Sequence, residues 1–315
     1  MGNKPVRHKS VSYAKWGYFF IAPFFIVFVL CQLVPLFNTF YNSLFEYFTD
    51  GLTQIGPKYI GLDNYKTIFT PANGEIRILT YTKNTMVMWL LGAIPQLLFA
   101  LLLALIFTAT RIKVRGQTFF KTVIYMPNLI MASAFSMLFF TLFSNVGPVN
   151  QIITELGGQV FDFFHNPWSE RGIVAFINFL MWFGNTTILL MAGIMGIDAS
   201  LFEAAAIDGA NSNQVFFRVT LPLLSPILVY VIITSLIGGL QMYDIPQLFN
   251  EGSPVIKGGT DGCTMTLMMY LNRLISTSKN YGLGGAVSAI IFVITGILSV
   301  IVFFITANPG KKGGK

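Results

Sequence analysis

Side chains able to do covalent or metal chemistry are few and scattered. The 315-residue chain has two cysteines, Cys31 and Cys263, and two histidines, His8 and His165. Two distant cysteines make neither a disulfide framework nor a four-ligand zinc site. Cys31 lies in a long apolar run, where a thiol behaves as a small hydrophobe. No nucleophile, acid–base pair or metal cluster stands out, so no residue is assigned a catalytic role. A phosphate-binding loop of the form G-x-x-x-x-G-K-[ST] is missing, because Gly310-Lys311-Lys312 lacks both the preceding strand and the following hydroxyl. No metal and no cofactor are implied.

Binding chemistry is better represented. Asn178, Trp182 and Asn185 fall at i, i+4 and i+7, one face of a helix. The two amides can hydrogen-bond hydroxyl groups, and the indole can stack on the C–H face of a sugar ring. Ser235, Gly238, Gly239, Gln241 and Tyr243 form a second polar group, whose glycines permit close approach or local unwinding. Neither group carries a charge, which favours a neutral ligand over a phosphate ester. The competing role for such side chains is hydrogen bonding between neighbouring helices.

The elements that position these residues follow from where charge is absent. The chain is 54% hydrophobic, 15% aromatic and only 10% charged, with a mean hydropathy of +0.66. A soluble domain carries roughly 25% charged residues. That excludes an ordinary soluble enzyme, and the aromatic content excludes disorder. No charge occurs between Lys15 and Glu46, Lys83 and Arg111, Lys121 and Glu155, Arg171 and Asp198, Arg218 and Asp244, or Lys279 and Lys311. Each gap can hold the roughly 20 apolar residues that span a bilayer. The pattern predicts an all-α membrane protein with six transmembrane helices near 16–37, 85–108, 122–143, 173–196, 219–243 and 283–306. These runs lack the alternation of barrel strands. They also lack acids, so a proton relay within the bilayer is not expected.

Basic residues set the orientation. Lys4, Arg7, Lys9 and Lys15, then Arg111, Lys113, Arg115 and Lys121, then Lys311, Lys312 and Lys315 lie in three acid-free segments. Six spans place all three on one side, which the positive-inside rule makes the cytoplasm. The expected organisation is a cytoplasmic tail 1–15, a six-span body 16–306 and a cytoplasmic tail 307–315. The formal charge of +7 is accounted for by this topology, and nothing resembles a nucleic-acid surface.

One cytoplasmic connection, 198–220, breaks the rule with Asp198, Glu203 and Asp208 against Arg218. Ser200 and Glu203 fit a capping box that opens a helix over Leu201–Asp208. Ala204, Ala205 and Ala206 are strong helix formers. Gly209 is suited to a left-handed stop, and Asn211 or Ser212 can cap a second helix. Leu201, Phe202, Phe216 and Phe217 are large apolar groups at a water-facing surface, which marks a docking site.

Glu203-Ala204-Ala205, Asp208-Gly209-Ala210, Phe216, Leu221-Pro222 and Pro226 together resemble the EAA loop of ATP-binding-cassette importer permeases. Pro23, Pro35, Gly61-Leu62-Asp63-Asn64-Tyr65, Tyr125-Met126-Pro127 and Ala192-Gly193-Ile194 are similar to the carbohydrate-uptake branch, of the maltose and glycerol-phosphate type. Asn250-Glu251-Gly252-Ser253-Pro254 departs from the Gly-Gly-Gly-Pro run more usual there. The resemblance implies a type I importer fold and four partners besides membrane lipid. These are a second permease subunit, a cytoplasmic ATPase dimer, an exterior solute-binding protein and a sugar substrate. It also implies that Leu201, Phe202, Glu203, Ala204, Ala205, Asp208 and Gly209 couple ATP hydrolysis to the spans. An importer of a non-sugar solute such as glycerol 3-phosphate, a carrier or channel working alone, and a membrane-embedded enzyme are the alternatives.

Overall fold

The computed structural model describes residues 14–71, 74–109, 115–252 and 262–306. The distal N-terminal tail, the C-terminal tail, Arg111, Lys113, Ser253 and Pro254 lie outside the described residues. Helix α1 (Ala14–Phe28) runs through a π-helical turn, Val29–Leu33, into α2 (Val34–Asn42), giving a first span Lys15–Asn42. An antiparallel hairpin follows, β1 (Phe45–Asp50) and β2 (Thr53–Tyr59). After α3 (Asp63–Phe69) comes the second span, α4 (Arg77–Thr108).

Next are α5 (Gln117–Leu129), α6 (Ala132–Leu142) and the short α7 (Pro148–Glu155). The long α8 (Pro167–Met195) is followed by α9 (Ala199–Ile207). Then α10 (Ser212–Val215) continues through a π-helical turn, Phe216–Thr220, into α11 (Leu221–Leu240). Three helices finish the chain: α12 (Asp244–Asn250), α13 (Leu267–Asn272) and α14 (Tyr281–Thr306).

Five stretches are continuous, apolar and long enough to cross a membrane. The third predicted span is different. In place of one helix over 122–143, α5 and α6 meet at a 90° bend. Pro127 supplies no amide hydrogen to the last turn of α5 and crowds the carbonyl four residues back. Ile130 is then extended, at φ −83° and ψ 135°. Asn128 Nδ2 donates to the carbonyl of Met181 at 3.0 Å, which ties the bend to α8.

Helices α4 and α8 form the most extensive helix pair, beside a separate apolar cluster that joins α4 to α11, α13 and α14. A Cβ added at Gly92 would stand 2.9 Å from the carbonyl oxygen of Ala175, so only glycine permits this backbone approach. Gln96 Nε2 donates to Thr186 Oγ1 at 2.8 Å across the same interface. Helix α11 packs against both, with Ala100, Ala104, Leu190 and Leu224 buried together. The first span buries no residue until Ser43, and it reaches the bundle through α2, where Phe40 meets Phe292 of α14 edge to face.

Candidate functional site

The loop between α8 and α11 is built as a tight reversal. Helix α9 starts at Ala199, and its N-cap is Asp198, not the expected Ser200. The Asp198 carboxylate accepts from the Ser200 amide at 3.0 Å. A carboxylate caps better here than a hydroxyl because it also meets the positive end of the helix dipole. That amide, and after it the Ser200 hydroxyl, hold the Asp198 carboxyl below its ordinary range, so the cap stays charged at neutral pH.

The C-terminal end is a Schellman turn. Gly209 N donates to Ala206 O at 3.1 Å and Ala210 N to Ala205 O at 2.9 Å. Gly209 has φ +72°, the left-handed conformation that the turn requires. Asn211 then caps α10 in a full capping box with Gln214, both bonds 2.9 Å long.

Helix α9 buries no residue against its own chain. Leu201 is 43% exposed and Ile207 is 86% exposed, while Phe202 is half-buried and turned toward the chain. Glu203 and Ile207, at i and i+4, share an outward face. Phe217, in the π-helical turn that follows α10, is 63% exposed. Ile207 was not among the expected contact residues. Its position at the helix end, just before the Asp208-Gly209 pair, has the pattern of a turn rather than of a contact surface.

Toward the membrane, Asn178 and Asn185 are half-buried and Trp182 is 45% exposed. Among the described residues none of these three side chains makes a hydrogen bond within the chain. The other polar group divides. Ser235 Oγ accepts from Trp89 Nε1 at 3.1 Å, and a Cβ at Gly239 would collide with the same indole. These two join α11 to α4. Beyond them the helix unwinds at Gln241–Tyr243. Gln241 is exposed, and the Tyr243 hydroxyl accepts from Asn272 Nδ2 at 2.8 Å. Trp89, Gln96, Thr186 and Ser235 line a crevice of about 150 Å³, and the Asn178 face is not part of its wall. No group of three His, Cys, Asp or Glu among the described residues is placed to hold a metal ion.

Residues 85–309 match the family described as binding-protein-dependent transport system inner membrane component. The chain belongs to this family. It is the transmembrane permease of an ATP-binding-cassette importer. It is 31% identical over 290 residues to the probable ABC transporter permease protein YesP of Bacillus subtilis, covering 91% of this chain and 89% of that one. It is 28% identical to the arabinooligosaccharides transport system permease protein AraP of Halalkalibacterium halodurans, over 94% of this chain and 89% of that one. A bacterial ABC transporter involved in the import of the acidic polysaccharide alginate shares the fold, with a TM-score of 0.78. It covers 94% of this chain and 96% of that one at 22% identity.

The permease also holds a buried polar network that sequence reasoning missed. In the sequence Arg171 stands out only as the edge of a charge-free gap, and Glu170 not at all. In the structure Glu170 has no accessible surface and bonds to Asn250 and Cys263. The partners stand 80 and 93 positions away, beyond the reach of any local pattern. The one local signal is an acid–base dipeptide in the first turn of a long apolar helix.

Proposed function

We propose that this permease forms half of the pathway for a neutral sugar or oligosaccharide, delivered by an exterior binding protein and driven by a separate ATPase dimer. A second permease subunit supplies the other half as a heterodimer. The chain crosses the bacterial cell membrane several times with both termini in the cytoplasm. It contributes no catalytic group of its own.

The observation that carries this reading is the uncovered α9. Its alanine-rich body, its charged cap and its glycine turn make a rigid knob that its own chain leaves bare. In the proposed complex Leu201 and Ile207 fill a groove of the ATPase, and Glu203 makes a charge-assisted bond there. Ala204 and Ala205 keep that surface flat, while Asp208 and Gly209 end it. Closure of the ATPase dimer then moves α9 and α11 together and switches the spans between inward and outward states. Such a switch requires contacts that differ between the two states.

The Asn178, Trp182 and Asn185 face, with Gln241 and Tyr243 at the α11 break, is the proposed sugar path. Its side chains are uncharged, and those of Asn178, Trp182 and Asn185 make no hydrogen bond among the described residues, while the Tyr243 hydroxyl already accepts from Asn272. Similar permeases are named for arabinooligosaccharides, multiple sugars, lactose, maltose and sulfoquinovosyl glycerol, which supports a sugar, and the absence of charge on this face favours a neutral one. Vesicles holding both permeases with and without the ATPase pair test the reading. Uptake that requires both ATPase and ATP agrees with it, and uptake by the permease alone favours a stand-alone carrier.

A further inference from the structure

Glu170 sits in the first turn of α8 with both carboxylate oxygens engaged. Oε1 accepts from Asn250 Nδ2 at 2.7 Å, and Oε2 accepts from Cys263 Sγ at 2.9 Å. Asn250 in turn accepts from Thr264 Oγ1 at 3.0 Å. The neighbouring Arg171 works on the same segment. Its Nε donates to the Cys263 carbonyl at 3.0 Å, and its Nη2 to Asn84 Oδ1 of α4 at 2.8 Å. Its guanidinium lies 5.4 Å from the Trp168 ring centroid, which steadies it further.

Residues 262–267 are all buried beneath this pair. Thr266 Oγ1 donates to the Met242 carbonyl at 2.8 Å, inside the break that ends α11. Two adjacent ionisable side chains on one helical turn therefore tie residues 262–267 to α4 and the end of α12, and Thr266 carries the tie to the α11 break. A buried carboxyl is tolerated only when its lone pairs are satisfied. Burial, and then the hydrogen bond to the Glu170 carboxylate, push the Cys263 thiol above its usual range. It stays an S–H donor, as the 2.9 Å contact requires.

We infer that Glu170 is a positioning residue, whose carboxylate clamps residues 262–267 and α12 onto α8 so that the exterior ends of the pathway walls move as one body. Its meaning for transport rests on the pathway reading, because α8 carries the Asn178 face and Thr266 fixes the Gln241–Tyr243 break. The clamp itself does not. A glutamine at 170 offers one accepting oxygen where two donors converge, so one bond is lost or turned onto sulfur, a weak acceptor. An alanine loses both.

The test uses the full complex of both permeases and the ATPase pair, with Cys31→Ser leaving Cys263 as this chain's sole thiol. A membrane-impermeant maleimide is added without nucleotide and with ATP plus vanadate. Labelling of this chain is read by mass. With native Glu170 the thiol should stay protected in both states. Glu170→Gln should raise the labelling rate about tenfold, toward that of an ordinary exposed thiol, and Glu170→Ala should raise it further. Uptake of radiolabelled maltotriose or arabinotriose should show a higher KM in Glu170→Gln, with a smaller change in maximal rate.

Native Cys263 that labels in either state, or variants that label no faster, would overturn the clamp. Faster labelling with an unchanged KM would overturn its positioning role. Because labelling needs no sugar, the clamp can fail while the pathway reading stands, and the reverse. Should Glu170→Ala not assemble, Glu170→Gln decides alone.

Discussion

The amide of Ala210 reaches back to the carbonyl of Ala205 at 2.9 Å, closing the turn that ends α9. This contact forces the chain between them through Gly209 at φ +72°. It joins a bare helix to the one that leads into the membrane. The loop is therefore a shaped lever, and its shape depends on one glycine.

Gly209 has open space where a Cβ would stand, so only its backbone conformation resists substitution. A side chain in the left-handed region costs roughly 1–2 kcal/mol, and more when β-branched. Gly209→Val should insert normally yet lose most ATP-driven uptake. Gly209→Asn should keep a large part of it, because asparagine tolerates this region. Equal uptake by the two variants, measured in reconstituted vesicles, would show that the turn does not matter.

The trio on α8 predicts a substrate effect. Asn178→Ala or Trp182→Ala should each cost about 1 kcal/mol of substrate interaction, roughly a fivefold rise in half-saturating sugar. Neither change should disturb assembly, because neither side chain bonds within the chain. Uptake kinetics of the native sugar check this, and unchanged values in both variants would remove the proposed pathway face.

Ser235 predicts the contrary pattern. Its hydroxyl is spent on Trp89, so Ser235→Ala should lower stability by about 0.6 kcal/mol, the average for such bonds in membranes. Half-saturating sugar should not change. A thermal-shift assay on the purified complex, beside uptake, separates the two effects.

Topology has a direct test as well. Leu52 at the hairpin tip is fully exposed, and Thr118 in the first turn of α5 is exposed. A maleimide that cannot cross membranes should label Leu52→Cys from outside intact cells and Thr118→Cys only from the cytoplasm. Labelling of both from one side would break the six-span topology.

Much of this architecture was legible in the sequence because a bilayer demands length and the absence of charge. The charge-free gaps mark the five continuous spans and the bent α5–α6 pair. They cannot show the 90° bend at Ile130, since the residues on both sides of it lie within one charge-free gap. Only Pro127-Asn128 hinted at it, and the tie from Asn128 to Met181 is a long-range contact. In the loop, Gly209 and a cap at Asn211 or Ser212 are legible because caps and turns are set by local backbone chemistry, and the structure selects Asn211. The start of α9 was misplaced because two good caps, Asp198 and Ser200, stand within one turn. The sequence also could not separate the free amides of Asn178 and Asn185 from Ser235, whose partner Trp89 lies on another helix.

The most direct test of the coupling account is one double variant. Glu203→Ala removes a charge from the bare face of α9 while keeping a good helix former, and Gly209→Val misdirects the lever. Losing one partner of a buried charge pair at the ATPase boundary costs roughly 2–5 kcal/mol. The measurement is ATP hydrolysis and sugar uptake, side by side, in vesicles holding the complete complex with Glu203→Ala and Gly209→Val. The account predicts that the permease still inserts but that uptake falls to background, with the ATPase lost or its hydrolysis uncoupled. Full uptake at the native ratio of sugar to ATP would show that α9 is only a linker, and would contradict the account.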